Sequence, residues 1–171
     1  MSPSLCVRAS RVAPVVILLL GIASLCAGQS TIFVSRHADR FGTEPDPSLT
    51  PKGKKQAEAL ARLLASADIR HIYTTELLRT RQTAAATARD AHIQPVVISQ
   101  AHFEELITSI RASARPNEST LVIGHRKTVP QIVRALTGRD IPALKPDEYG
   151  RLVVITLWPE NSSIVTLHYG E

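Results

Sequence analysis

Residues 31–38 read TIFVSRHA, an apolar β-type run that ends in Arg36 and His37. Residues 120–125 read TLVIGH, a second such run that ends in His125. Short runs rich in β-branched residues and bounded by polar ones are typical of buried strands. Because open α/β sheets bind their ligands at the carboxyl ends of the strands, we expect the two imidazoles and the guanidinium to meet at one edge.

A third segment supplies more positive charge between these two strands. Residues 76–84 read ELLRTRQTA and carry Arg79 and Arg81 on a helix-like stretch. An arginine fork donates two parallel hydrogen bonds and never deprotonates, which suits phosphate oxygens. Two histidines and at least two arginines converging on one point therefore indicate a site for a phosphoryl group. We interpret Arg79 as part of it and Arg81 as a residue of the solvated face.

The remaining pattern alternates between strands and helices. A helix begins at Thr50, which can cap it, with Pro51 at its first position. Alternation of this kind predicts an α/β three-layer sandwich with a mainly parallel central sheet flanked by helices. The last two strands are expected to form an antiparallel edge hairpin around the turn 159–161. Further strands are predicted at 69–73, 95–99, 151–157 and 164–169, and further helices at 76–90, 103–114 and 129–136.

Four motifs in this order resemble those of the histidine phosphatase superfamily, the phosphoglycerate mutase-like proteins, and most of all its short bacterial members. The resemblance covers residues 31–138. It implies a phosphoglycerate mutase-like fold, with His37 as the nucleophile and Arg36, Arg79 and His125 completing the phosphate pocket. The motifs are Arg36-His37, Leu49-Thr50-Pro51-Lys52-Gly53, Tyr73-Thr74-Thr75 running into Arg79 and Gln82-Thr83-Ala84, and Val122-Ile123-Gly124-His125.

The general acid is the least specified part of the site. Members of this family commonly carry a Glu or Asp in the middle of the chain, and here Glu104 and Glu105 lie in that interval. We favour Glu105 as the acid. The alternative is that both carboxylates only complement the dipole at the start of a helix. Asp39 is another candidate acid or a residue of the pocket rim, whereas Arg126 stands where the phytase-like branch has an acid.

The loop after the nucleophile is expected to overhang the pocket. Residues 39–49 leave the first strand directly, so Asp39 and Arg40 are candidates for substrate contact, unless the loop is only a solvated connector. Thr128, just after the second histidine, could touch phosphate through its hydroxyl or through a helix-start N–H. The other histidines are interpreted as ordinary polar residues: His71, His92, His102 and His168.

The N-terminus has the pattern of a secretory signal peptide. Arg8 and Arg11 precede an apolar run at 12–25, which is short for a membrane span, and small residues follow it. We therefore predict a signal peptide at 1–28 and a histidine phosphatase domain at 29–171. The protein would be periplasmic or secreted, without stable membrane association after cleavage. The alternative is that the uncleaved segment anchors the protein.

Cysteine and charge narrow the chemistry further. Cys6 and Cys26 are the only cysteines, and both precede the predicted domain, which therefore has neither a cysteine nucleophile nor a thiolate metal site. The net charge of +5 includes Arg8 and Arg11 of the predicted signal peptide, so the domain carries about +3, which is mild. Aromatic residues make up only 4%, so nucleic-acid binding is not expected. The expected partner is a small phosphorylated substrate or a phosphoprotein, with no cofactor and no metal. The oligomeric state stays open.

Four functions fit these features to different degrees. We favour an exported, metal-independent phosphatase that hydrolyses a phosphoester or a phosphohistidine-type substrate through a phosphohistidine on His37. A phosphoglycerate-type mutase is less favoured, because a chain this short leaves little sequence for a lid that shields the intermediate. A non-catalytic phosphate- or anion-binding member of the fold is a third possibility. A metal hydrolase using His37, Asp39 and His125 would lack the close ligand spacing of known sites.

Overall fold

The computed structural model describes residues 28–42 and 44–170, which form a six-stranded mixed sheet flanked by four helices. The predicted α/β sandwich is therefore confirmed, and residues 1–27 of the predicted signal peptide lie outside the described residues. No described helix is long and apolar enough to cross a membrane. The elements are β1 Ser30–Arg36, α1 Pro51–Leu63, β2 Ile69–Thr74, α2 Leu78–Ala91, β3 Val96–Val97, α3 Phe103–Ser113, β4 Ser119–Gly124, α4 Thr128–Thr137, β5 Arg151–Trp158 and β6 Asn161–His168.

The strand order across the sheet is β3-β2-β4-β1-β5-β6. The first four strands in this order run parallel, and β5 and β6 add an antiparallel hairpin at the β1 side. That hairpin was predicted, but β6 begins at Asn161 rather than at 164, because pairing continues to Trp158 and Asn161 at the turn. Strand β3 is shorter than predicted, with Val96–Val97 as its only paired residues.

Both faces of β1 and β4 are buried by alternating side chains. On β1, Ile32 and Val34 pack toward α3 and α4, in the larger apolar cluster. On β4, Leu121 and Ile123 belong to the opposite cluster with residues of α1 and α2. All four side chains are fully or almost fully buried, and each contributes about 1.5–3 kcal/mol of transfer free energy. The central parallel pair is thus a rigid support for whatever follows its carboxyl ends.

The start of α1 locks the loop that leaves β1. The Thr50 hydroxyl accepts the Gly53 N–H at 3.0 Å, with Pro51 at the first helical position, as predicted. A β-carbon at position 53 would collide with the carbonyl oxygen of Asp39, so only glycine permits this approach of α1 to the loop. Buried Leu49 packs in a small cluster beside it. The predicted helix start is therefore also the anchor of the chain just after His37.

Candidate active site

The parallel register of β1 and β4 sets the two imidazoles side by side. Arg36 lies opposite Gly124, so the next residue of each strand falls at the same level. The His37 N–H donates to the Gly124 carbonyl at 3.0 Å, which extends the ladder by one step. The ring centroids of His37 and His125 are 5.5 Å apart, with an interplanar angle of 62°. The structure thus brings together the two histidines that the sequence singled out.

The structure presents His37 as a neutral imidazole. Its side chain is buried, and Nδ1 lies 2.9 Å from the carbonyl oxygen of Ala38. A carbonyl can only accept, so Nδ1 carries the hydrogen and Nε2 carries the lone pair. Burial, with further contributions from Arg36 and His125, lowers the pKa of His37 to about 3. The imidazole is therefore unprotonated at neutral pH.

His125 is held from both its backbone and its ring. Burial, followed by the charge of Arg79, lowers the pKa of His125 to about 4. Its N–H donates to the Thr128 hydroxyl at 2.8 Å, and Nε2 lies 3.2 Å from the Thr75 hydroxyl. A β-carbon on Gly124 would crowd that same Thr128 oxygen at 2.8 Å. The Thr128 hydroxyl therefore positions the histidine, and its contact with phosphate, through the hydroxyl or a helix-start N–H, stays a prediction.

Arg36 is clamped by the loop that precedes β5. Its Nη1 donates to three backbone carbonyls, those of Lys145 at 3.2 Å, Pro146 at 2.8 Å and Glu148 at 2.9 Å. The side chain is almost fully buried, and its Nε is buried without a partner among the described residues. Buried donors are rarely left unpaired, so this N–H of the residue next to His37 is a candidate ligand position.

Tyr149 is a site residue that the motifs did not reveal. The Arg36 guanidinium carbon lies 4.0 Å from the centre of its ring, which is a cation–π contact. The same ring lies 5.9 Å from the His37 ring, centroid to centroid. No sequence signal marked it, because it lies outside the motif region and reaches the site only through the pairing of β5 with β1.

Arg79 is the second cation of the pocket and lies at the start of α2. Its Nη1 lies 3.8 Å from an Asp46 carboxylate oxygen and 3.5 Å from the Pro45 carbonyl. Asp46 also accepts the Leu78 N–H at 2.7 Å and so caps α2 from the loop. The Nε of Arg79 is buried and, like that of Arg36, has no partner within the described ranges. Asp46 had not been predicted to take part.

The electrostatics of this cluster favour an anion. Burial lowers the pKa of Arg36, and the charges of Arg126 and Arg40 lower it further. Burial and the charge of Arg40 likewise lower the pKa of Arg79. A lowered arginine pKa means that positive charge is held at a cost in free energy, and a bound anion would relieve it. Two guanidiniums, each with one orphan Nε–H, can together bind several oxygens of one phosphoryl group.

The predicted acids lie apart from this cluster. Glu104 and Glu105 are both exposed, and a carboxylate oxygen of Glu105 lies 3.2 Å from Nδ1 of His102. They occupy the first turn of α3, where negative charge complements the helix dipole. The structure does not bring either to the imidazoles, and the role of Glu105 as general acid stays a prediction.

Two residues of the predicted rim are used to hold the loop. The Asp39 carboxylate accepts the Thr50 hydroxyl at 2.8 Å, and its role as an acid stays a prediction. The Arg40 side chain donates to the carbonyls of Phe41 and Gly42, and its charge acts on both pocket arginines. Asp39 therefore braces the loop, whereas Arg40 adds positive potential near Arg36 and Arg79.

Glu76 is a carboxylate near His125 that had not been singled out. It accepts the Ser99 hydroxyl at 3.2 Å and the Gln100 N–H at 3.0 Å. Burial raises the pKa of Glu76, but these hydrogen bonds and the charge of His125 outweigh it, and the pKa is lowered overall. Glu76 is therefore an ionised acceptor rather than a ready proton donor.

The motif on α2 acts by anchoring the loop after the nucleophile. The Thr83 hydroxyl accepts the Ala38 N–H at 2.9 Å, and the Gln82 side chain accepts the Leu49 N–H at 2.8 Å. Fully buried Ala84 packs in the core beneath them. These three residues fix the backbone on both sides of the overhanging loop.

Other features lie outside this cluster. A groove of about 670 Å³ runs along α2 and β3 and includes Arg81 and His92, but neither His37 nor His125. Within 28–42 and 44–170, no group of three or more His, Cys, Asp or Glu side chains is arranged to hold a metal ion. Asp39 in particular turns to Thr50 instead of joining His37 and His125.

Comparison with known proteins gives one family and one fold. The sequence model described as "Histidine phosphatase superfamily (branch 1)" matches residues 25–105, a range that includes Arg36, His37 and Arg79. No curated protein matches the sequence significantly.

Three solved structures illustrate the likeness in fold. SixA from Nakamurella multipartitia is 22% identical, with a TM-score of 0.62 over 84% of this chain and 98% of that one. The protein histidine phosphatase SixA complexed with tungstate is 17% identical, with a TM-score of 0.64 and coverage of 81% and 96%. The mycobacterial glucosyl-3-phosphoglycerate phosphatase is 12% identical, with a TM-score of 0.64 and coverage of 83% and 99%. The motifs, the region matched by the family model and the fold all agree with the histidine phosphatase superfamily.

Proposed function

We propose that this protein is an exported, metal-independent phosphatase that transfers the phosphoryl group of its substrate to His37 and then to water. One observation carries the proposal. A buried, unprotonated imidazole lies beside two guanidiniums, each of which has a buried Nε–H without a partner among the described residues. A phosphoryl transition state spreads negative charge over three equatorial oxygens, and fixed cationic donors stabilise that charge.

The reaction proceeds in two displacements at phosphorus. The Nε2 lone pair of His37 forms a P–N bond while the bond to the leaving group breaks and its electron pair departs with the leaving group. A water oxygen then forms a P–O bond, the P–N bond breaks, and the electron pair returns to Nε2. The water proton leaves with inorganic phosphate or passes to solvent. Arg36, Arg79 and His125 hold the phosphoryl oxygens in both steps.

The positions and ionisation of the nearby carboxylates indicate which kind of leaving group the site can handle. An alkoxide leaving group needs a proton, whereas Glu104 and Glu105 are exposed and Glu76 is ionised. A leaving group that departs more easily, such as the imidazole of a phosphohistidine, needs less help. We therefore favour a phosphohistidine-type substrate, on a protein or a small molecule, over an alkyl phosphate. The protein histidine phosphatase SixA has the same fold, which agrees with this choice by analogy.

The first experiment measures hydrolysis of an aryl phosphate and of a phosphohistidine peptide by the purified protein in a chelator. His37→Gln should abolish both activities, because glutamine cannot form the P–N intermediate. His92→Gln is a matched control at an exposed histidine outside the site. Activity of His37→Gln equal to wild type would overturn the proposal, and full dependence on a metal would overturn its metal-independent form.

The same assay tests the general acid. Glu105→Gln should leave phosphohistidine cleavage unchanged. It should slow the hydrolysis of aryl or alkyl phosphates only if Glu105 reaches the leaving group in the complex. Asp39→Asn tests the other candidate. A loss on every substrate in the Glu105 variant would show that the carboxylate acts in both steps, contrary to our choice of substrate.

The pH profile follows from the lowered pKa of the nucleophile. With a pKa of about 3 in the free protein, His37 stays unprotonated as the pH falls through the usual histidine range. After correction for substrate ionisation, log(kcat/KM) should therefore be flat down to roughly pH 5. An acid limb near the ordinary histidine pKa, shared by all substrates, would contradict this description of the site.

Export rests on the N-terminal pattern alone and is tested separately. When the full chain is expressed in a bacterium, the form recovered from the extracytoplasmic fraction should begin near residue 29 by mass and N-terminal sequence. Recovery of only the uncleaved chain with the membrane would support the anchored alternative.

A further inference from the structure

A chain of buried hydroxyls leads to the second imidazole. Nε2 of His125 lies 3.2 Å from the Thr75 hydroxyl oxygen, which lies 2.9 Å from the Thr80 hydroxyl oxygen. The Thr80 oxygen in turn lies 2.7 Å from the Leu77 carbonyl and 3.1 Å from the Thr75 carbonyl. Thr75 is almost fully buried and Thr80 completely so.

The number of available protons fixes the direction of donation in this series of hydrogen bonds. A carbonyl oxygen can only accept, so the single proton of Thr80 is directed to Leu77 or to the Thr75 carbonyl. The short contact between the two hydroxyls must then use the proton of Thr75. The Thr75 oxygen has no proton left for His125, so the hydrogen of the last contact comes from Nε2 of the imidazole.

We propose that Thr75 and Thr80 are positioning residues that hold neutral His125 in the tautomer with hydrogen on Nε2. That hydrogen is donated to the Thr75 oxygen in the free protein, and a phosphoryl oxygen takes it over or shares it in the complex, so His125 acts as a hydrogen-bond donor rather than a base. The assignment of the tautomer does not depend on the proposed function. Only the catalytic consequence of that tautomer rests on the proposed function. The two imidazoles are then complementary, since Nε2 of His37 carries a lone pair and Nε2 of His125 carries a hydrogen.

Nitrogen NMR of selectively labelled histidine reads the tautomer directly, because a ring nitrogen with hydrogen resonates far from one without it. In the full-length wild-type protein near neutral pH, His125 should show hydrogen on Nε2. A wild-type signal with hydrogen on Nδ1 would overturn the proposal. The resonance is assigned by its loss in His125→Gln.

Two variants test the direction of the chain. Thr80→Val removes the acceptor of the Thr75 proton, so the Thr75 hydroxyl can turn and donate to Nε2 of His125. The population of His125 with hydrogen on Nδ1 should therefore increase. Thr75→Val removes the partner of the ring, and Thr75→Ser should restore the wild-type signal. Thr166→Val on exposed β6 is the matched control. If the Thr80→Val protein is folded and the tautomer of His125 is unchanged, the proposed direction of the hydrogen bonds from His125 through Thr75 to Thr80 is wrong.

The kinetic consequence separates this inference from the proposed function. Thr75→Val should lower kcat on the order of tenfold, the effect of one hydrogen bond, with little change in KM, and Thr75→Ser should recover it. If His37→Gln keeps full activity, the proposed function fails while the NMR result still decides the tautomer. If wild-type protein is active and Thr75→Val shows wild-type kcat, the catalytic part of the inference fails.

Discussion

The two pocket arginines carry the same charge but are held in different ways. Arg36 is buried, with one nitrogen bound by three neutral carbonyls and its plane against the Tyr149 ring. Arg79 is partly exposed and lies near the carboxylate of Asp46, which is itself 43% exposed in its side chain. Neutral acceptors orient a guanidinium without cancelling its charge, whereas a carboxylate competes with the substrate for it.

This contrast suggests a division of labour. The clamp on Arg36 comes from a loop fixed by Glu148, which accepts the Lys145 N–H at 3.0 Å and pairs with Arg151 at 2.5 Å and 2.9 Å. That arrangement is preorganised for the transition state. The contacts of Arg79 are longer and come from the overhanging loop, so they can rearrange when a phosphate arrives. Arg36 should therefore affect mainly kcat, and Arg79 mainly KM.

The largest expected effect tests Arg36 directly. Arg36→Lys keeps a charge but loses the fork, the three carbonyl bonds and the buried Nε–H, so kcat should fall on the order of 10³-fold. Arg79→Lys is the matched comparison and should raise KM with a loss in kcat of only about tenfold. Steady-state kinetics on one substrate measure both. Equal losses in kcat would remove the proposed difference between the two clamps.

A smaller loss is expected at Tyr149. Tyr149→Leu removes the aromatic face that orients Arg36 and packs beside His37, so kcat should fall on the order of 10²-fold. Tyr149→Phe keeps the ring and should retain most of the wild-type rate. If the Phe variant is as slow as the Leu variant, the hydroxyl matters and the cation–π account is wrong. Thermal unfolding of both variants shows whether a loss of stability contributes.

The sequence predicted the fold well because its signals are local. Thr50 with Pro51 marks a helix start, and the run 31–38 marks a buried strand, whatever else the chain does. The lengths of β3 and β6 were less predictable, because pairing with a neighbour rather than propensity decides where an edge strand begins and ends.

The residues of the site likewise divide into those that the sequence predicted and those that depend on tertiary contacts. His37 and His125 follow strand ends, so topology alone places them together. Tyr149 and Asp46 reach the cluster from loops whose path depends on tertiary contacts, and no motif marks them. Glu105 is the opposite case, a residue that the sequence suggested but the structure does not bring to the cluster. Its position in the middle of the chain suggested a role, whereas the orientation of α3 leaves its carboxylate exposed beside His102.

The smallest expected effect tests the Arg79 side of the comparison. Asp46→Asn keeps an oxygen to cap the Leu78 N–H but removes the charge that competes for Arg79. Because the pair is partly exposed, KM should fall by no more than about threefold, with kcat unchanged. Screening shortens the reach of exposed charges, so the difference from wild type should shrink as salt is added. A KM that rises instead would show that Asp46 orients Arg79 for the substrate, and both arginines would then be held by preorganised clamps.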